Sequence, residues 1–244
     1  MSKTAIIIPA RYGSSRLEGK PLIEVLGKPI IQWVYEKAQE SKLADMIIVA
    51  TDDERIFNAV KAFGGEVEMT SADHKCGSDR IREVVERHPE ISYIVNLQGD
   101  EPLIKPDSID AVARNVQEDE KADISTLIRV LKTEEEINNP NLVKCVIDNN
   151  GFAMYFSRSK IPYERNTGVA TFYGHLGIYG YKREALLKMT SLPQTPLEKT
   201  ESLEQLRALE NGMKIKTSVV DFVPVGIDTK EDLEKFKKII SEKL

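Results

Sequence analysis

Short apolar runs alternate with segments of helical periodicity through the first half of the chain. Each run is only a few residues long and contains Ile, Val or both, which predicts buried strands. The predicted strands are 5–9, 46–51, 67–70 and 93–98. The predicted helices, in which apolar residues recur every three or four positions, are 29–41, 54–63, 78–87 and 106–118. This alternation predicts an α/β fold with a parallel, doubly wound sheet.

The second half of the chain is less regular, and its turn signals predict antiparallel pairing. The sequence DNNG at 148–151 separates two apolar runs, which predicts a hairpin. A polar segment at 158–171 is expected to be a loop. The remaining predicted elements are strands at 124–130, 143–147, 152–157, 175–181 and 215–220, and helices at 203–209 and 230–243. Because neither a repeat nor a low-complexity linker interrupts the chain, we expect one domain over 1–244.

Charge and hydropathy narrow the class of function. The formal net charge of −5 over 244 residues argues against a general nucleic-acid binder. Residues 1–28 nevertheless contain five basic side chains and two acidic ones, which suits a small anionic ligand. No apolar stretch approaches the roughly 18 residues that cross a membrane, so no membrane partner is expected.

The two cysteines bear on the cellular compartment. Cys76 and Cys145 are far apart and form no CxxC pair, so neither a zinc site nor a redox motif is indicated. Unpaired thiols are typical of a reducing cytoplasm. The apolar run near the N-terminus is too short for a signal peptide. We therefore expect a cytoplasmic protein.

The loop after the first strand, 11–21, combines two glycines and two serines with two arginines and a lysine. Loops at the carboxyl ends of parallel strands bind ligands, and this composition suits phosphate. The GxGxxG fingerprint of dinucleotide-binding proteins is absent. An ordinary P-loop is also excluded, because five residues separate Gly13 from Gly19 and Pro21 follows Lys20. From the loop alone, a polar surface turn with chance basic residues stays an alternative.

Six segments, in order along almost the whole chain, resemble the 3-deoxy-manno-octulosonate (Kdo) cytidylyltransferases, a family of sugar nucleotidyltransferases. The segments are 8–22 (IPARYGSSRLEGKPL), 78–80 (SDR), 96–102 (NLQGDEP), 156–163 (FSRSKIPY), 175–180 (HLGIYG) and 203–207 (LEQLR). Together they are far more specific than any one of them. Two positions depart from the family pattern: Glu18 stands where proline is common, and Cys76 replaces a small polar residue.

The resemblance implies a fold, a reaction and partners. The implied fold is Rossmann-like, of the GT-A nucleotidyltransferase type, with a small antiparallel insert at about 143–182 for sugar binding and dimer contact. The implied reaction transfers CMP from CTP to Kdo with release of pyrophosphate, for lipopolysaccharide biosynthesis. It also implies Mg²⁺ as cofactor, with CTP and Kdo as small-molecule substrates, and a homodimer.

Two aspartates are candidate metal ligands with competing structural roles. Asp100 follows the fourth predicted strand, where it can hold Mg²⁺ or simply form a turn beside Gly99. Asp228 with Glu231 has the spacing of a capping box at the start of the last helix. The resemblance assigns both aspartates to the metal.

The resemblance also assigns catalytic, nucleotide-binding and sugar-binding residues. The implied catalytic residues are Lys20, Arg11, Asp100 and Asp228. The implied nucleotide-binding residues are Ala10, Arg11, Ser14, Arg16, Lys20, Gly77, Ser78, Arg80 and Gln98. The implied sugar-binding residues are Arg158, Tyr163, His175, Tyr179, Glu204 and Gln205.

Several of these residues have plain structural alternatives. Ser78 can cap a helix, and Arg80 can be a solvated helix residue. His175 and Tyr179 can share one face of a strand, and the residue pair at 204–205 can lie on an exposed helix face.

Three other functions compete with this interpretation. A synthetase for sialic acid or for an amino analogue of Kdo would keep the first loop and change the sugar-facing residues. A nucleotide sensor without catalysis could lose Lys20, Asp100 or Asp228, yet all three are present. A glycosyltransferase would commonly carry an Asp-x-Asp motif, which the chain lacks.

Overall fold

The computed structural model describes residues 2–13, 17–223 and 225–242. The strands are β1 (Lys3–Ala10), β2 (Glu24–Val25), β3 (Lys28–Pro29), β4 (Met46–Thr51), β5 (Val67–Met69), β6 (Ile91–Asn96), β7 (Ile124–Val130), β8 (Lys144–Ile147), β9 (Ala153–Ser157), β10 (Tyr173–Lys182) and β11 (Ile215–Val219). The helices are α1 (Ile30–Gln39), α2 (Glu54–Ala62), α3 (Gly77–Arg87), α4 (Pro106–Glu118), α5 (Glu134–Asn138), α6 (Arg183–Ser191), α7 (Pro196–Glu201), α8 (Gln205–Glu210) and α9 (Lys230–Ser241). A 3₁₀ turn occupies Lys20–Leu22.

The chain divides into two compact units, and the boundary lies within α4. Unit 1 contains residues 1–110 and 224–244, and unit 2 contains residues 111–223. This division into compact units does not test the expectation of one domain over 1–244, which stays a prediction.

The sheet of unit 1 is parallel, with strand order β6-β1-β4-β5. Strand β1 is buried almost throughout because its run of isoleucines is covered on both faces, as is usual for parallel strands. The carboxyl ends of β1, β4 and β6 lie at one edge of this sheet. That edge is where ligands bind in open α/β sheets.

The strands of unit 2 form a mixed arrangement. Strand β11 runs parallel to β7, whereas β10 pairs antiparallel with both β7 and β8, and β8 pairs antiparallel with β9. The antiparallel part from β8 to β10 corresponds to the insert predicted at 143–182. The α/β class with parallel and antiparallel portions is therefore confirmed.

The predicted elements agree with the structure to within two residues at each described end, and β4, α4 and β7 match completely. Lys243, at the predicted end of the last helix, lies outside the described residues. Five elements were missed: β2, β3, α5, α6 and α7. The two strands have two residues each, and α5 is a five-residue helix with three consecutive glutamates, so hydrophobic periodicity could not indicate them.

No helix in the described part of the chain has both the length and the apolar character needed to span a membrane.

Gly180 is the residue of β10 at which a side chain would be least tolerated. A Cβ atom at this position would collide with the Ser125 hydroxyl and with the main-chain carbonyl of Val112. We expect Gly180→Ala to lower the free energy of unfolding by roughly 3 kcal/mol, the upper range of overpacking costs, because a backbone group cannot move aside easily. Chemical denaturation measures this change.

Gly177→Ala is the matched control, since nothing lies within 4 Å of a Cβ built at Gly177 in the same strand. We expect this variant to stay within about 1 kcal/mol of the wild type. Equal stability of the two variants would contradict the packing argument.

Candidate active site

The carboxyl ends of β1 and β6 lie side by side and create a polar pocket in unit 1. The two strands are paired from Thr4 with Tyr93 to Ile7 with Asn96, so the segments that follow them leave the sheet together. A Cβ atom at Gly99 would lie 3.2 Å from the carbonyl oxygen of Pro9. This close backbone approach favours glycine and brings the segment before Asp100 against the end of β1.

The pocket has a volume of about 340 Å³. Its lining residues are Pro9, Ala10, Arg11, Gly13, Lys20, Pro21, Gln98, Gly99, Asp100 and Asp228. Six of the residues assigned from the sequence therefore meet here: Ala10, Arg11, Lys20, Gln98, Asp100 and Asp228.

Lys20 connects the two predicted metal ligands. Its Nζ lies 2.6 Å from Oδ2 of Asp100 and 3.1 Å from Oδ1 of Asp228. The ammonium is largely buried, at 13% exposure of the side chain, whereas the carboxylates are 30% and 46% exposed. The two carboxylates thus converge on one point at which a positive charge already sits.

Local backbone geometry explains how Lys20 reaches this point. Gly19 adopts a φ of 65°, the left-handed conformation that glycine tolerates best, and so turns the chain into the 3₁₀ segment. Pro21 favours the start of that segment because its φ is already restrained. Leu17 anchors the loop from the other side by packing in a hydrophobic cluster with Ile227 and Phe236.

Asp228 is held by its neighbours. The capping box suggested for Asp228 and Glu231 is wrong, because the actual box lies one residue later in the chain. The box at the start of α9 is formed by Thr229 and Asp232, and not by Asp228 and Glu231. The amide of Asp228 donates to the Asp232 carboxylate. Capping therefore does not use the carboxylate of Asp228, which accepts from Lys20 instead.

The segments that carry the two aspartates are also joined directly. The amide of Ile227 donates to the carbonyl oxygen of Asp100 over 2.9 Å. This bond holds the loop after β6 against the loop before α9, although the two segments are far apart in the sequence.

Arg11 has an unsatisfied donor beside this trio. Its Nη2 atom is buried and has no hydrogen-bond partner among the residues that the structure describes. A buried guanidinium N–H without an acceptor is costly, by about 1–3 kcal/mol. An anion in the pocket would supply the acceptor, which supports a phosphate-binding role.

Other nucleotide-binding predictions fall beside the pocket or outside the described residues. Ser14 and Arg16 belong to the part of the loop that the structure leaves undescribed. Gly77 lies next to the end of β1, because a Cβ there would be 3.3 Å from the ring of Pro9. Ser78 is buried inside α3 and does not occupy the capping position, which belongs to Cys76.

Arg80 is neither a solvated helix residue nor a lining residue of the pocket. Its side chain is completely buried and donates from Nη2 to Asp52 over 2.8 Å and from Nη1 to the Thr70 hydroxyl. Asp52 follows β4 at the same edge of the sheet. The ion pair therefore braces this edge, while Nε of Arg80 has no hydrogen-bond partner in the described part of the chain.

Glu101 differs in electrostatics from its neighbour Asp100. Burial, with a further contribution from the negative charge of Asp100, raises the pKa of Glu101 to about 7. Adjacent carboxyl groups that would both be charged repel each other, so the more buried one holds its proton more tightly. Asp100 is the carboxylate of this pair that contacts a cation in the structure, the ammonium of Lys20.

The aspartate pair fits Mg²⁺. Among the described residues, no group of three or more His, Cys, Asp and Glu side chains forms a complete metal cage. Magnesium, however, is usually held by one or two carboxylates together with water and substrate phosphates. Two hard oxygen donors that already converge on the Lys20 ammonium provide that partial site.

Two sugar-binding candidates lie together in unit 2. His175 and Tyr179 are neighbours on β10, with ring centroids 5.3 Å apart, and Phe156 packs edge-on against His175. Nε2 of His175 lies 3.0 Å from the Thr126 hydroxyl, which itself lies 2.8 Å from the carbonyl oxygen of Ile178. Since that hydroxyl donates to a carbonyl, Nε2 carries the proton of a neutral imidazole and Nδ1 is an acceptor.

Burial controls the charge states of this pair. It lowers the pKa of His175 to about 4, because the charged imidazolium loses its hydration. It also raises the pKa of Tyr179, with smaller contributions from Tyr181 and Glu204. Both rings are therefore neutral near pH 7, and Glu204 lies close enough to influence Tyr179.

Arg158 is tied to backbone carbonyls in unit 2. Its Nε donates to Glu201 over 2.7 Å, and its other nitrogens reach Pro140 and Ser202. The buried ammonium of Lys144 donates to the carbonyl oxygen of Arg158 over 2.6 Å. These hydrogen bonds hold Arg158 in place, and the acceptors of its guanidinium are backbone carbonyl groups of the protein.

The remaining sugar candidates are less clustered. Glu204 precedes α8 and Gln205 begins it, and the side chain of Gln205 is buried rather than on an exposed helix face. Tyr163 is 89% exposed in the loop at 158–171, so the structure does not pack it against His175 or Tyr179.

Several residues of the pocket were missed from the sequence. Gly13, Pro21 and Gly99 line the pocket and lie inside the recognised segments. They were not predicted as site residues because none of them has a polar side chain. Asp52, which pairs with Arg80 beside the pocket, was also missed, although it follows a predicted strand at the ligand-binding edge.

The chain matches the sequence model of the cytidylyltransferase family over residues 5–215. The 3-deoxy-manno-octulosonate cytidylyltransferase of Fusobacterium nucleatum is 50% identical to it, across 97% of this chain and 96% of that protein. The enzyme of the same name from Thermodesulfovibrio yellowstonii is 48% identical, across 98% of each protein.

A solved structure is similar over the whole length. It is that of CMP:2-keto-3-deoxy-manno-octonic acid synthetase in complex with CTP, which superposes with a TM-score of 0.95. The two chains are 43% identical, and the superposition covers all of both.

Proposed function

Because this chain belongs to the 3-deoxy-manno-octulosonate cytidylyltransferase family, we propose that it transfers CMP from CTP to Kdo with the side chains of the pocket at the end of β1. The reaction forms a bond between the anomeric oxygen of Kdo and the α-phosphorus of CTP. It breaks the bond between the α-phosphorus and the oxygen that leads to the β-phosphorus, so pyrophosphate leaves. The product, CMP-Kdo, serves lipopolysaccharide biosynthesis.

The observation that carries this proposal is the position of Lys20 between Asp100 and Asp228, in a pocket that Arg11, with its unsatisfied Nη2 atom, also lines. Phosphoryl transfer requires positioning and charge stabilisation more than covalent chemistry by the protein. Arg11 donates hydrogen bonds to the triphosphate, and Lys20 neutralises charge that accumulates on the departing oxygens.

Asp100 and Asp228 would hold Mg²⁺. When bound, this ion lowers the pKa of a coordinated hydroxyl and polarises phosphate oxygens. The carboxylates would position the ion, and the hydrogen bond between Ile227 and Asp100 holds their two loops in register. With the carboxylates so engaged, Lys20 would be available to the triphosphate.

Unit 2 supplies the recognition of the sugar in this proposal. Nδ1 of His175 accepts a hydrogen bond from a sugar hydroxyl, because Nε2 already donates to Thr126. Tyr179 stays protonated and can donate, and Glu204 accepts from a further hydroxyl. Arg158 presents positive charge to the Kdo carboxylate from the fixed position that its carbonyl partners give it.

A homodimer in the cytoplasm is part of the same proposal. The side chains of Met154, Tyr163 and Val169 lie within the insert at 143–182 and are exposed and apolar. We propose that they form part of the dimer contact. Sedimentation of the purified protein measures the oligomeric state.

The function is tested by pyrophosphate release from CTP with four acceptors in parallel: Kdo, its amino analogue, sialic acid and no sugar. We expect release with Kdo and Mg²⁺, and loss of release when EDTA removes the metal. Calorimetry measures CTP binding separately, so it distinguishes a protein that binds CTP without turnover from a protein that does not bind CTP.

Each other outcome has a definite meaning. Release with another acid sugar would keep the chemistry and replace the substrate. Binding of CTP without release from any acceptor would contradict the proposed function and favour a nucleotide sensor. Unchanged release in EDTA would contradict the assignment of Asp100 and Asp228 to a metal.

A further inference from the structure

The ring of Tyr12, in the loop after β1, is packed between a cation and a glycine. The guanidinium carbon of Arg55 lies 3.3 Å from the centre of the ring. On Gly19, a Cβ atom would lie 3.1 Å from the ring atoms of Tyr12. The ring therefore lies against the Cα of Gly19 and under a planar cation, which is a favourable stacking arrangement.

Arg55 is itself held in place from α2. Its Nε and Nη2 donate to the two carboxylate oxygens of Asp53, over 2.9 Å and 2.6 Å. Asp53 is the N-cap of α2, because it accepts from the amide of Arg55. A bidentate pair orients the guanidinium plane, so the face that Tyr12 contacts is fixed by the helix.

The stack connects both described sides of the loop with the active site. The amide of Gly19 donates to the carbonyl oxygen of Tyr12 over 2.9 Å, which joins residues 11–13 to residues 17–20. Tyr12 follows Arg11 directly, and Gly19 precedes Lys20. A displacement of the ring would therefore move the two cations of the pocket relative to each other.

We propose that Arg55 is a positioning residue for the reaction: by stacking on Tyr12, it holds Arg11 and Lys20 at the spacing that the triphosphate of CTP requires. The inference rests on the proposed function, but it concerns residues outside the recognised catalytic set. Arg55 does not line the pocket, and its side chain is 58% exposed, so it contributes little to the core.

Glu18 lies near this stack. Hydrogen bonding to Asp53 is the main cause that raises the pKa of Arg55, and the charges of Tyr12 and Glu18 make smaller contributions in the same direction. Asp53 is the carboxylate that pairs with Arg55, and Glu18 adds a weaker attraction.

The test is the effect of Arg55→Ala on CTP, with Arg82→Ala as control. Arg82 is also a partly exposed arginine of unit 1 paired with a carboxylate on its own helix, over 2.8 Å to Glu86. We expect Arg55→Ala to raise the KM for CTP about five- to tenfold, as for loss of one cation–π contact. The KM for Kdo should stay at the wild-type value and the melting temperature should fall by only a few degrees, because the same contact is lost from the free protein. Arg82→Ala should leave both KM values unchanged.

Three further variants separate stacking from simple charge. Arg55→Lys keeps the positive charge but loses the planar guanidinium and its bidentate pair with Asp53, so we expect its KM for CTP to lie between those of the wild type and Arg55→Ala. Tyr12→Leu should also raise the KM for CTP, and the double variant Tyr12→Leu/Arg55→Ala should be no worse than the more impaired single variant. Full rescue by lysine, additive effects, or an unchanged KM in Arg55→Ala would each overturn the proposal.

Calorimetric binding of CTP distinguishes failure of this inference from failure of the proposed function. If the wild type bound CTP but transferred no CMP, the function would fail while weaker CTP binding by Arg55→Ala would still support the positioning role. If the wild type were active and Arg55→Ala bound CTP normally, only the positioning role would be lost.

Discussion

Lys20→Met is expected to lower kcat/KM by about 100- to 1000-fold, the usual cost of removing one preorganised charge from a transition state. Methionine is close to lysine in length and fills the same space, so the loop between Gly19 and Pro21 should keep its course. The loss should fall mainly on kcat, because Arg11 still binds the triphosphate whereas charge on the departing pyrophosphate is no longer neutralised. Steady-state assays of pyrophosphate release measure both constants.

The same variant should change metal binding in the opposite direction. In the absence of nucleotide, the Lys20 ammonium sits between Asp100 and Asp228, at the point where a divalent cation would be held. Its removal leaves two carboxylates with uncompensated charge. We therefore expect nucleotide-free Lys20→Met to bind Mg²⁺ or Mn²⁺ more tightly than the wild type, as measured by calorimetry.

Lys42→Met is the control, since Lys42 is an exposed lysine of the same unit that lies outside the pocket. It should leave both turnover and metal affinity unchanged. A Lys20→Met protein that is inactive but binds metal no better than the wild type would contradict the competition between the ammonium and the cation.

The parts of this site that sequence could predict are those in which one short segment carries the chemistry. The glycines, prolines and charges around Lys20 restrict the backbone locally, and Asp100 follows a strand whose buried run is unmistakable. The order of the longer strands and most helices along the chain was predictable because each of these elements displays its period, whereas β2, β3 and α5 are too short to do so.

Long-range pairing is what the sequence alone could not provide. Nothing near Arg80 in α3 indicates that its partner is Asp52, just after β4, so this fully buried arginine was open to interpretation as a solvated residue. Likewise, Asp228 and Glu231 satisfied the spacing of a capping box, but Thr229 and Asp232 satisfied it as well, and the structure uses the second pair. Two local patterns competed, and tertiary contacts with Lys20 and Ile227 decided between them.

Asp100→Asn should separate binding from catalysis most clearly. Asparagine preserves the shape of the side chain and one oxygen acceptor but removes the charge that would hold Mg²⁺. We expect kcat to fall by at least about 100-fold, comparable with loss of a major electrostatic contribution to the transition state. Asp107→Asn, at an exposed position on α4, is the control and should retain full turnover.

The affinity for CTP in the absence of metal should not fall in Asp100→Asn, in contrast to its turnover. In the wild type, the charges of Asp100 and Asp228 offset those of Arg11 and Lys20, and Asp100 makes the shorter contact with the ammonium. Removing that charge frees Lys20 for the triphosphate and reduces repulsion of the nucleotide. CTP should therefore bind metal-free Asp100→Asn at least as tightly as metal-free wild type, although turnover is lost. Weaker metal-free binding, or nearly normal turnover by a folded variant, would show that Asp100 serves the fold of the loop and not the metal.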